Sequence, residues 1–316
     1  MPVKMTSKQG KVLIAAPVHH VLTGGLKDMG YECVNAIKIT QADAYGLLKD
    51  CKGVITSTRL QLDKELIDAA PALQWIGRMG SGMEVVDVPY AQAKGIACYS
   101  SPEGNCNAVA EHALGMLLTL IRRITWSNNE VAHGQWKREE NRGTELEGKT
   151  IGIIGYGHTG AAFAKKLQGF DKQVLAYDKY RPEGIAAPVI QCNDISRIFE
   201  EADMVSFHVP LQPDTISYFN EDFIGRMRKP FILINTSRGV VADTVAVKKG
   251  IDSGKIRGAC LDVIDQEPMD AMSTELRKLV IEMAGMPNVV ITPHIAGYTE
   301  EALYKMSRVL LQKIIS

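Results

Sequence analysis

The strongest constraint on the fold is a repeated alternation between short apolar runs and stretches with helical periodicity. Alternation of this kind is typical of α/β folds with parallel sheets. The runs fall into two series, separated by a long helical stretch. The predicted strands are 11–17, 53–58, 73–80 and 96–100 in the first series, and 150–155, 173–178, 204–210, 231–237, 258–263 and 289–294 in the second. We therefore predict two Rossmann-like domains, each with a doubly wound parallel sheet.

The stretches between and after the two series predict how the domains are connected. Residues 106–124 are apolar at i, i+3 and i+4 spacing, which predicts a helix long enough to bridge two domains. The charged stretch 137–149 predicts an exposed loop. A last amphipathic stretch, 298–315, predicts a helix that returns to the first domain. We therefore expect one domain to be inserted in the other, with 1–104 and 295–316 forming the outer domain and 105–294 the inserted one.

Composition excludes several classes of partner. Lys plus Arg and Asp plus Glu number 36 each, so no net field attracts nucleic acid or an anionic membrane. The six cysteines are scattered without a C-x-x-C pair, which favours reduced thiols over a disulfide framework. The N-terminal stretch has the pattern of neither a signal peptide nor a membrane span. We therefore expect a cytoplasmic protein that binds no nucleic acid or membrane, and we predict no metal site.

A glycine-rich turn opens the second series and predicts a phosphate-binding loop. G-x-G-x-x-G follows a β-branched run and precedes a helix rich in alanine. In that setting the first glycine allows a tight turn, the second lets the backbone approach a pyrophosphate, and the third lets helix and strand pack closely. The alternative is a glycine turn in a sheet without a cofactor. The predicted phosphate-binding residues are Gly155, Gly157, His158, Thr159 and Gly160.

The residue at the end of the next strand predicts which dinucleotide binds. Asp178 lies 21 residues after Gly157 and would accept hydrogen bonds from both ribose hydroxyls. Its carboxylate would repel a 2′-phosphate, so we predict NAD as the cofactor rather than NADP. Lys179 and Arg181 are cations that would soften this preference.

Ionisable side chains follow three strands of the second series. Arg238 comes just beyond one apolar strand, Asp262 ends another with Glu267 in the loop after it, and His294 ends the last. Ligands gather at the carboxyl ends of strands in such sheets. Considered alone, His294 would be interpreted as a buried core histidine, the usual role of a single histidine at a strand end. Together, these side chains beside a dinucleotide loop predict a catalytic group.

These residue types suit hydride transfer between a secondary alcohol and nicotinamide. Histidine can exchange the hydroxyl proton, because its reference pKa of about 6.5 lies near working pH. Glu267 on the far ring nitrogen would fix the tautomer and stabilise the imidazolium. Arg238 would hold a substrate carboxylate in a bidentate fork and polarise the adjacent carbonyl.

The chain resembles the NAD-dependent D-isomer-specific 2-hydroxyacid dehydrogenases over essentially its whole length. The resemblance lies in "NAVAEHALGMLL", "GQWKREENRGTELEGKTIGIIGYGHTG", "HVPLQPDT", "INTSRG", "LDVIDQEP" and "TPHIAG", all in the family's order. It implies that Arg238, Glu267 and His294 are the family's catalytic set, that Asp262 holds the nicotinamide carboxamide, and that the chain is a homodimer. It further implies cofactor contacts from Val209, Pro210, Thr215, Thr236 and Ser237.

The substrate is less closely constrained. "GYGHTG" and "SPEGNCNAVAE" most resemble 3-phosphoglycerate dehydrogenases, whereas "ITSTRL" departs from the Arg-Ser that often binds phosphoglycerate in the family. Arg59 either reaches a phosphate or is a solvated loop residue, and Arg78 either contributes charge or braces the glycine turn. The residues predicted to contact substrate are Arg59, Arg78, Ser81, Gly82 and Asn105.

Two further functions stay open. The first is the same chemistry on glyoxylate, hydroxypyruvate or another small 2-keto acid. The second is a dinucleotide-sensing binding protein, similar to the transcriptional corepressors that share this fold. Trp136 is interpreted as a packing anchor of an interdomain loop or a dimer arm, and His112 as a buried helix residue.

Overall fold

Parallel strands build both sheets of the protein. The computed structural model describes residues 9–180, 184–185 and 187–316, and all the strand pairs within them are parallel. The chain divides into two compact units, one formed by residues up to 106 together with 298–316 and the other by 107–297. Each unit has its own sheet with buried apolar clusters on it. The predicted fold class, two α/β units with parallel sheets, is confirmed.

The first unit is a five-stranded sheet in the order β2-β1-β3-β4-β5. Its strands are β1 Gly10–Ile14, β2 Tyr31–Asn35, β3 Cys51–Thr56, β4 Trp75–Arg78 and β5 Ala97–Ser100. Its helices are α1 His20–Asp28, α2 Gln41–Leu47, α3 Lys64–Asp68, α4 Val88–Ala93 and, after the second unit, α12 Glu300–Ile315. The sequence pattern does not predict β2, because this edge strand is only partly buried and therefore lacks a continuous apolar run.

Helix α5, Pro102–Ile121, leads from the first unit into the second. It starts four residues before the predicted helix 106–124, since Pro102 is suited to the first helical position. It ends before Arg123, which has a left-handed φ of 56° that a helix cannot continue through. The next helix is α6, Ile124–Ala132.

The second unit is a seven-stranded sheet in the order β12-β11-β10-β9-β6-β7-β8. Its strands are β6 Thr150–Ile154, β7 Gln173–Tyr177, β8 Ile190–Gln191, β9 Met204–Phe207, β10 Phe231–Asn235, β11 Ile256–Leu261 and β12 Val289–Ile291. The helices after α6 are α7 His158–Lys166, α8 Ser196–Glu201, α9 Glu221–Arg226, α10 Thr244–Asp252 and α11 Thr274–Ala284. The strand order reverses between β6 and β9, so ligands are expected at the carboxyl ends of these strands.

Two negative findings apply to the part of the chain that the structure describes. None of its helices has the length and apolar character that a membrane crossing requires. Within the same residues, His, Cys, Asp and Glu side chains form no group of three or more that could bind a metal ion.

Candidate active site

The glycine-rich turn connects β6 to α7 at the reversal of strand order. Gly155 has a left-handed φ of 89°, and a Cβ there would lie 2.5 Å from the carbonyl oxygen of His208. A Cβ on Gly160 would lie 2.1 Å from the carbonyl oxygen of Gly155. At Gly157, the residue before the first turn of α7, a Cβ would meet no atom within 4 Å. The turn is therefore tightly packed at Gly155 and Gly160 and open at Gly157, where the N-terminus of α7 can present its N–H groups to an anion.

Asp178 follows β7 and is held by backbone donors. Its Oδ2 accepts from the N–H of Tyr156 at 2.6 Å, and its Oδ1 accepts from the N–H of Tyr180 at 2.8 Å. The next residue, Lys179, forms an ion pair with Asp214 at 2.5 Å. Arg181 lies outside the described residues. The carboxylate thus lies beside the glycine turn.

The strand β9 ends in groups without charge. Burial lowers the pKa of His208 to about 3, so this imidazole is neutral, and its Nε2 lies 2.8 Å from the Ser206 hydroxyl. Val209 borders the glycine turn, with a side-chain carbon 3.1 Å from a Cβ on Gly155. In the loop after Pro210, the Thr215 hydroxyl contacts the Pro210 carbonyl at 2.8 Å. Val209 thus gives the glycine turn an apolar neighbour that suits a nucleoside.

The turn after β10 carries Arg238. The buried Asn235 side chain accepts from both the N–H and the hydroxyl of Ser237 and donates to the carbonyl of Arg238 at 3.0 Å. A Cβ on Gly239 would lie 1.8 Å from the carbonyl oxygen of Ile264, so glycine lets this turn approach the loop after β11. Arg238 is half-buried, and its Nη1 donates to the carbonyl of Ser237 at 2.7 Å. The turn therefore has a defined shape set by its own side chains.

Thr236 gives a test of whether a cofactor fits here. Its side chain is buried, and its hydroxyl has no hydrogen-bond partner among the described residues. A buried polar group is normally satisfied, so this hydroxyl fits a site that a bound molecule completes. The glycine turn and the Asp178 carboxylate are further groups of the kind that hold a dinucleotide.

Glu267 and His294 meet at the ends of β11 and β12. The Nδ1 of His294 lies 2.7 Å from Oε2 of Glu267, while Oε1 accepts from the N–H of Ile264 at 2.9 Å. His294 has a left-handed φ of 55°, and about half of its side chain is exposed. The structure thus leaves one face of the imidazole accessible, with the carboxylate bound to its Nδ1.

Each member of this pair changes the pKa of the other. The hydrogen bond to Glu267 raises the pKa of His294 above its ordinary value, against the opposing effect of burial. For Glu267, burial favours the neutral form, but the hydrogen bonds from His294 and Ile264 and the nearby Arg238 charge together lower its pKa. The pair therefore favours an imidazolium beside a carboxylate.

Asp262 lies just before this loop and is almost fully buried, with 1% of its surface exposed. Its carboxylate accepts from the Thr292 hydroxyl and from the N–H groups of Ile295 and Ala296. The sequence analysis does not predict the contact with Thr292. A hydroxyl residue at the end of an apolar strand, two residues before His294, is the signal that marks it.

Comparison with known proteins identifies this arrangement. Residues 114–296 match the family described as "D-isomer specific 2-hydroxyacid dehydrogenase, NAD binding domain". The chain belongs to this family. The match covers most of the second unit, which holds the glycine turn, Asp178 and the His294 pair. The predicted cofactor, NAD, is confirmed.

Relatives with different activities resemble the chain. A glyoxylate reductase of Thermofilum pendens is 37% identical over 262 residues, which cover 81% of this chain and 75% of the relative. A D-3-phosphoglycerate dehydrogenase of Archaeoglobus fulgidus is 30% identical over 310 residues, which cover 97% of this chain and 57% of the relative. A D-lactate dehydrogenase of Aquifex aeolicus, solved with NAD and lactic acid, has a TM-score of 0.81 and 26% identity and covers 96% of this chain and 94% of its own. The chain thus spans little more than half the length of the curated phosphoglycerate dehydrogenase.

The residues predicted to contact substrate lie in the first unit. Arg59 is exposed after β3, and Ser81 is exposed after β4. The Arg78 side chain folds back over Gly80 and donates to the carbonyl of Met79 at 3.1 Å, so it braces this turn. Gly82 and Asn105 are partly buried. Arg78 is the last residue of β4, and the other four follow the carboxyl ends of β3, β4 and β5.

Proposed function

We propose that the protein is an NAD-dependent dehydrogenase of D-2-hydroxy acids, with Arg238, Glu267 and His294 as its catalytic residues. The observation that carries the proposal is the 2.7 Å contact between His294 Nδ1 and Glu267 inside a family NAD-binding domain. We further propose that residues 105–294 are the NAD-binding domain and that 1–104 with 295–316 form the substrate-binding domain.

In the proposed mechanism, NAD would supply the hydride chemistry when bound, and the residues of the chain would position the substrate and move the proton. His294 exchanges the hydroxyl proton through Nε2, because Glu267 occupies Nδ1. Glu267 keeps the imidazole in one tautomer and stabilises its charged form. Arg238 binds the substrate carboxylate through its guanidinium fork and withdraws charge from the carbonyl that is reduced.

The glycine-rich motif and the family resemblance suggest the remaining cofactor contacts. We propose that His158 and Thr159 bind the pyrophosphate with the glycine turn, that Val209 and Pro210 border the adenosine, and that Thr215 lies near the phosphates. Thr236 and Ser237 would line the nicotinamide side. The partnerless hydroxyl of Thr236 supports this assignment.

For the substrate we propose 3-phosphoglycerate and its oxidised form, 3-phosphohydroxypyruvate. Relatives named D-3-phosphoglycerate dehydrogenase align with more than nine-tenths of the chain. Arg59 is exposed at the end of β3 and free to bind a phosphate dianion. The rival substrates are glyoxylate and hydroxypyruvate, since a glyoxylate reductase is 37% identical to the chain.

A substrate panel with the Arg59→Ala variant tests this choice. We measure NADH oxidation with 3-phosphohydroxypyruvate, hydroxypyruvate and glyoxylate. The proposal predicts the highest kcat/KM for the phosphorylated acid and a loss of about 10-fold or more for that acid alone in Arg59→Ala, as expected for one charge-assisted contact. Turnover of only the unphosphorylated acids would rule out phosphoglycerate and favour the rival.

The Glu267→Gln substitution should move the pH profile. It removes the main cause of the raised pKa of His294, so this pKa should fall. Oxidation of the alcohol requires neutral His294, so the acid limb of the oxidative pH profile should shift to lower pH in the variant. Reduction requires protonated His294, so the reductive activity of the variant should already fall at a lower pH than that of the wild type. Profiles of kcat/KM against pH in both directions measure this, and superimposable profiles would contradict the assigned pair.

The Asp178→Ala substitution should weaken the preference for NAD. Hydrogen bonds to a charged group contribute about 1.5–3 kcal/mol, so we expect kcat/KM for NAD to fall about 10- to 100-fold and NADP to become a better cofactor. Asp214→Asn is the matched control: it frees Lys179 from its ion pair while leaving the ribose contact in place. An unchanged ratio between the two cofactors in Asp178→Ala would show that another residue makes the choice.

We propose that the protein is a homodimer that uses the surface of α6. Ile124 and Val131 are exposed seven residues apart on one face of α6, and Trp136 after it is 85% exposed. Exposed apolar surface of this kind marks protein interfaces. All six cysteines are free thiols, which fits the cytoplasm as the proposed compartment.

Sedimentation velocity tests the dimer. A Val131→Asp substitution places a charge in the proposed interface and should shift the protein to monomer at micromolar concentration. The Ile281→Asp variant, at an equally exposed position of α11, should stay dimeric. If the two variants had the same oligomeric state, α6 would not form the dimer interface.

A further inference from the structure

The backbone of His294 requires a support that its own side chain does not provide. Its φ of 55° lies in the left-handed region, which residues other than glycine rarely adopt. Such a conformation persists only when surrounding contacts hold it. The contact with Glu267 fixes the imidazole but not the backbone.

Asp262 supplies that support through three successive N–H groups. Its main-chain carbonyl accepts from the N–H of His294 at 2.8 Å. Its carboxylate then accepts from the next two residues, through Oδ1 from Ile295 and through Oδ2 from Ala296, both at 2.9 Å. One buried residue thus accepts from three successive N–H groups of the turn that presents His294, and the N–H of His294 also lies 3.0 Å from the carbonyl of Thr292.

Thr292 and His112 extend this support to helix α5. The Thr292 hydroxyl lies 2.6 Å from Oδ1 of Asp262, and Nε2 of His112 lies 3.0 Å from the same hydroxyl. A hydroxyl has one hydrogen, and the carboxylate can only accept it. The Thr292 oxygen must then accept from His112, which requires the proton on Nε2. His112 therefore donates to Thr292, and Thr292 donates to Asp262.

We propose that Asp262, Thr292 and His112 are positioning residues for His294. Asp262 fixes the turn, and the His112–Thr292 pair fixes the rotamer of the Asp262 carboxylate. This inference rests on the proposed function, in which His294 exchanges the substrate proton. It assigns Thr292 and His112 a role in the reaction although neither contacts the reacting atoms.

The proposal also changes the expected role of Asp262. A carboxylate offers about four lone-pair sites, and three are taken by Thr292, Ile295 and Ala296. One site remains for the carboxamide contact that the family resemblance implies. We therefore expect loss of the hydrogen bonds from His112 and Thr292 to reduce the turnover number more than it reduces the affinity for the cofactor.

Thr292→Val and Thr292→Ser form the first test. Valine keeps the shape of threonine and removes the hydroxyl, whereas serine keeps the hydroxyl. With NADH and the best 2-oxo acid of the panel, kcat should fall about 10- to 100-fold in Thr292→Val, since small misplacement of a catalytic group has effects of this size. The dissociation constant of NADH should stay within about 2-fold. Thr292→Ser should restore most of the turnover number.

Amide hydrogen exchange gives a second readout that does not depend on turnover. The N–H groups of Ile295 and Ala296 should exchange faster in Thr292→Val than in the wild type, and at the wild-type rate in Thr292→Ser. If the wild type reduces none of the acids, the proposed function fails. The exchange rates still show whether Thr292 and Asp262 hold the turn. Unchanged exchange, or an unchanged kcat in an active enzyme, would overturn the proposal.

If Thr292→Val does not fold, substitutions of His112 test the same hydrogen bonds, because His112 is the donor to Thr292. His112→Phe removes the donor to Thr292, and His112→Gln can still donate. We expect faster exchange at residues 295 and 296 and a lower kcat in His112→Phe, with both largely restored in His112→Gln. Equal effects of the two substitutions would show that His112 only fills space.

Discussion

The His294→Gln enzyme should lose turnover by about 10²–10⁴-fold, the usual contribution of a positioned general acid–base, while it still binds NADH. Glutamine retains a polar side chain of similar reach but cannot exchange a proton at working pH. The contact with Glu267 also loses its charge, so no imidazolium can form beside the carboxylate. Steady-state kinetics and NADH fluorescence measure the two effects separately.

The control for this substitution is His20→Gln, which makes the same chemical change at an exposed position of α1. It should leave kcat unchanged. Full turnover in His294→Gln would remove His294 from the mechanism.

The second large effect is expected at Arg238. Lysine keeps the positive charge but lacks the planar fork that binds a carboxylate through two parallel hydrogen bonds. Each hydrogen bond to a charged group contributes about 1.5–3 kcal/mol, so loss of both corresponds to a decrease in kcat/KM of about 10²–10⁴-fold for Arg238→Gln. Arg238→Lys should recover part of this loss, mainly in kcat.

Arg257→Lys serves as the matched control, because Arg257 is exposed on β11 of the same unit. We measure KM for the 2-oxo acid and the dissociation constant of NADH for each variant. An Arg238→Gln enzyme with the wild-type KM and kcat would show that another group holds the substrate carboxylate.

The architecture was largely predictable because parallel strands buried on both faces produce continuous apolar runs. In β6, for example, all five residues Thr150–Ile154 are buried. The exceptions have physical causes. The edge strand β2 is only partly buried, and α6 contains the polar residues Ser127, Asn128 and Asn129, so neither has the pattern of a buried element.

The candidate site was predictable only at the level of residue identity. Arg238, Glu267 and His294 follow strands whose ends lie at one edge of a parallel sheet. The left-handed φ of His294 and the acceptance of successive N–H groups by Asp262 depend on hydrogen bonds that no spacing encodes. The ion pair between Lys179 and Asp214 joins residues 35 apart in the sequence, so only the structure shows that Lys179 is paired.

The most direct test of the account is the stereochemistry of the reaction with NAD. We measure NAD reduction by the purified protein with separate D and L enantiomers of 3-phosphoglycerate, glycerate and lactate. The account predicts turnover of at least one D enantiomer, no turnover of its L counterpart, and loss of the D activity in His294→Gln. Tight NADH binding without turnover of any acid, or turnover of the L enantiomers, would contradict it.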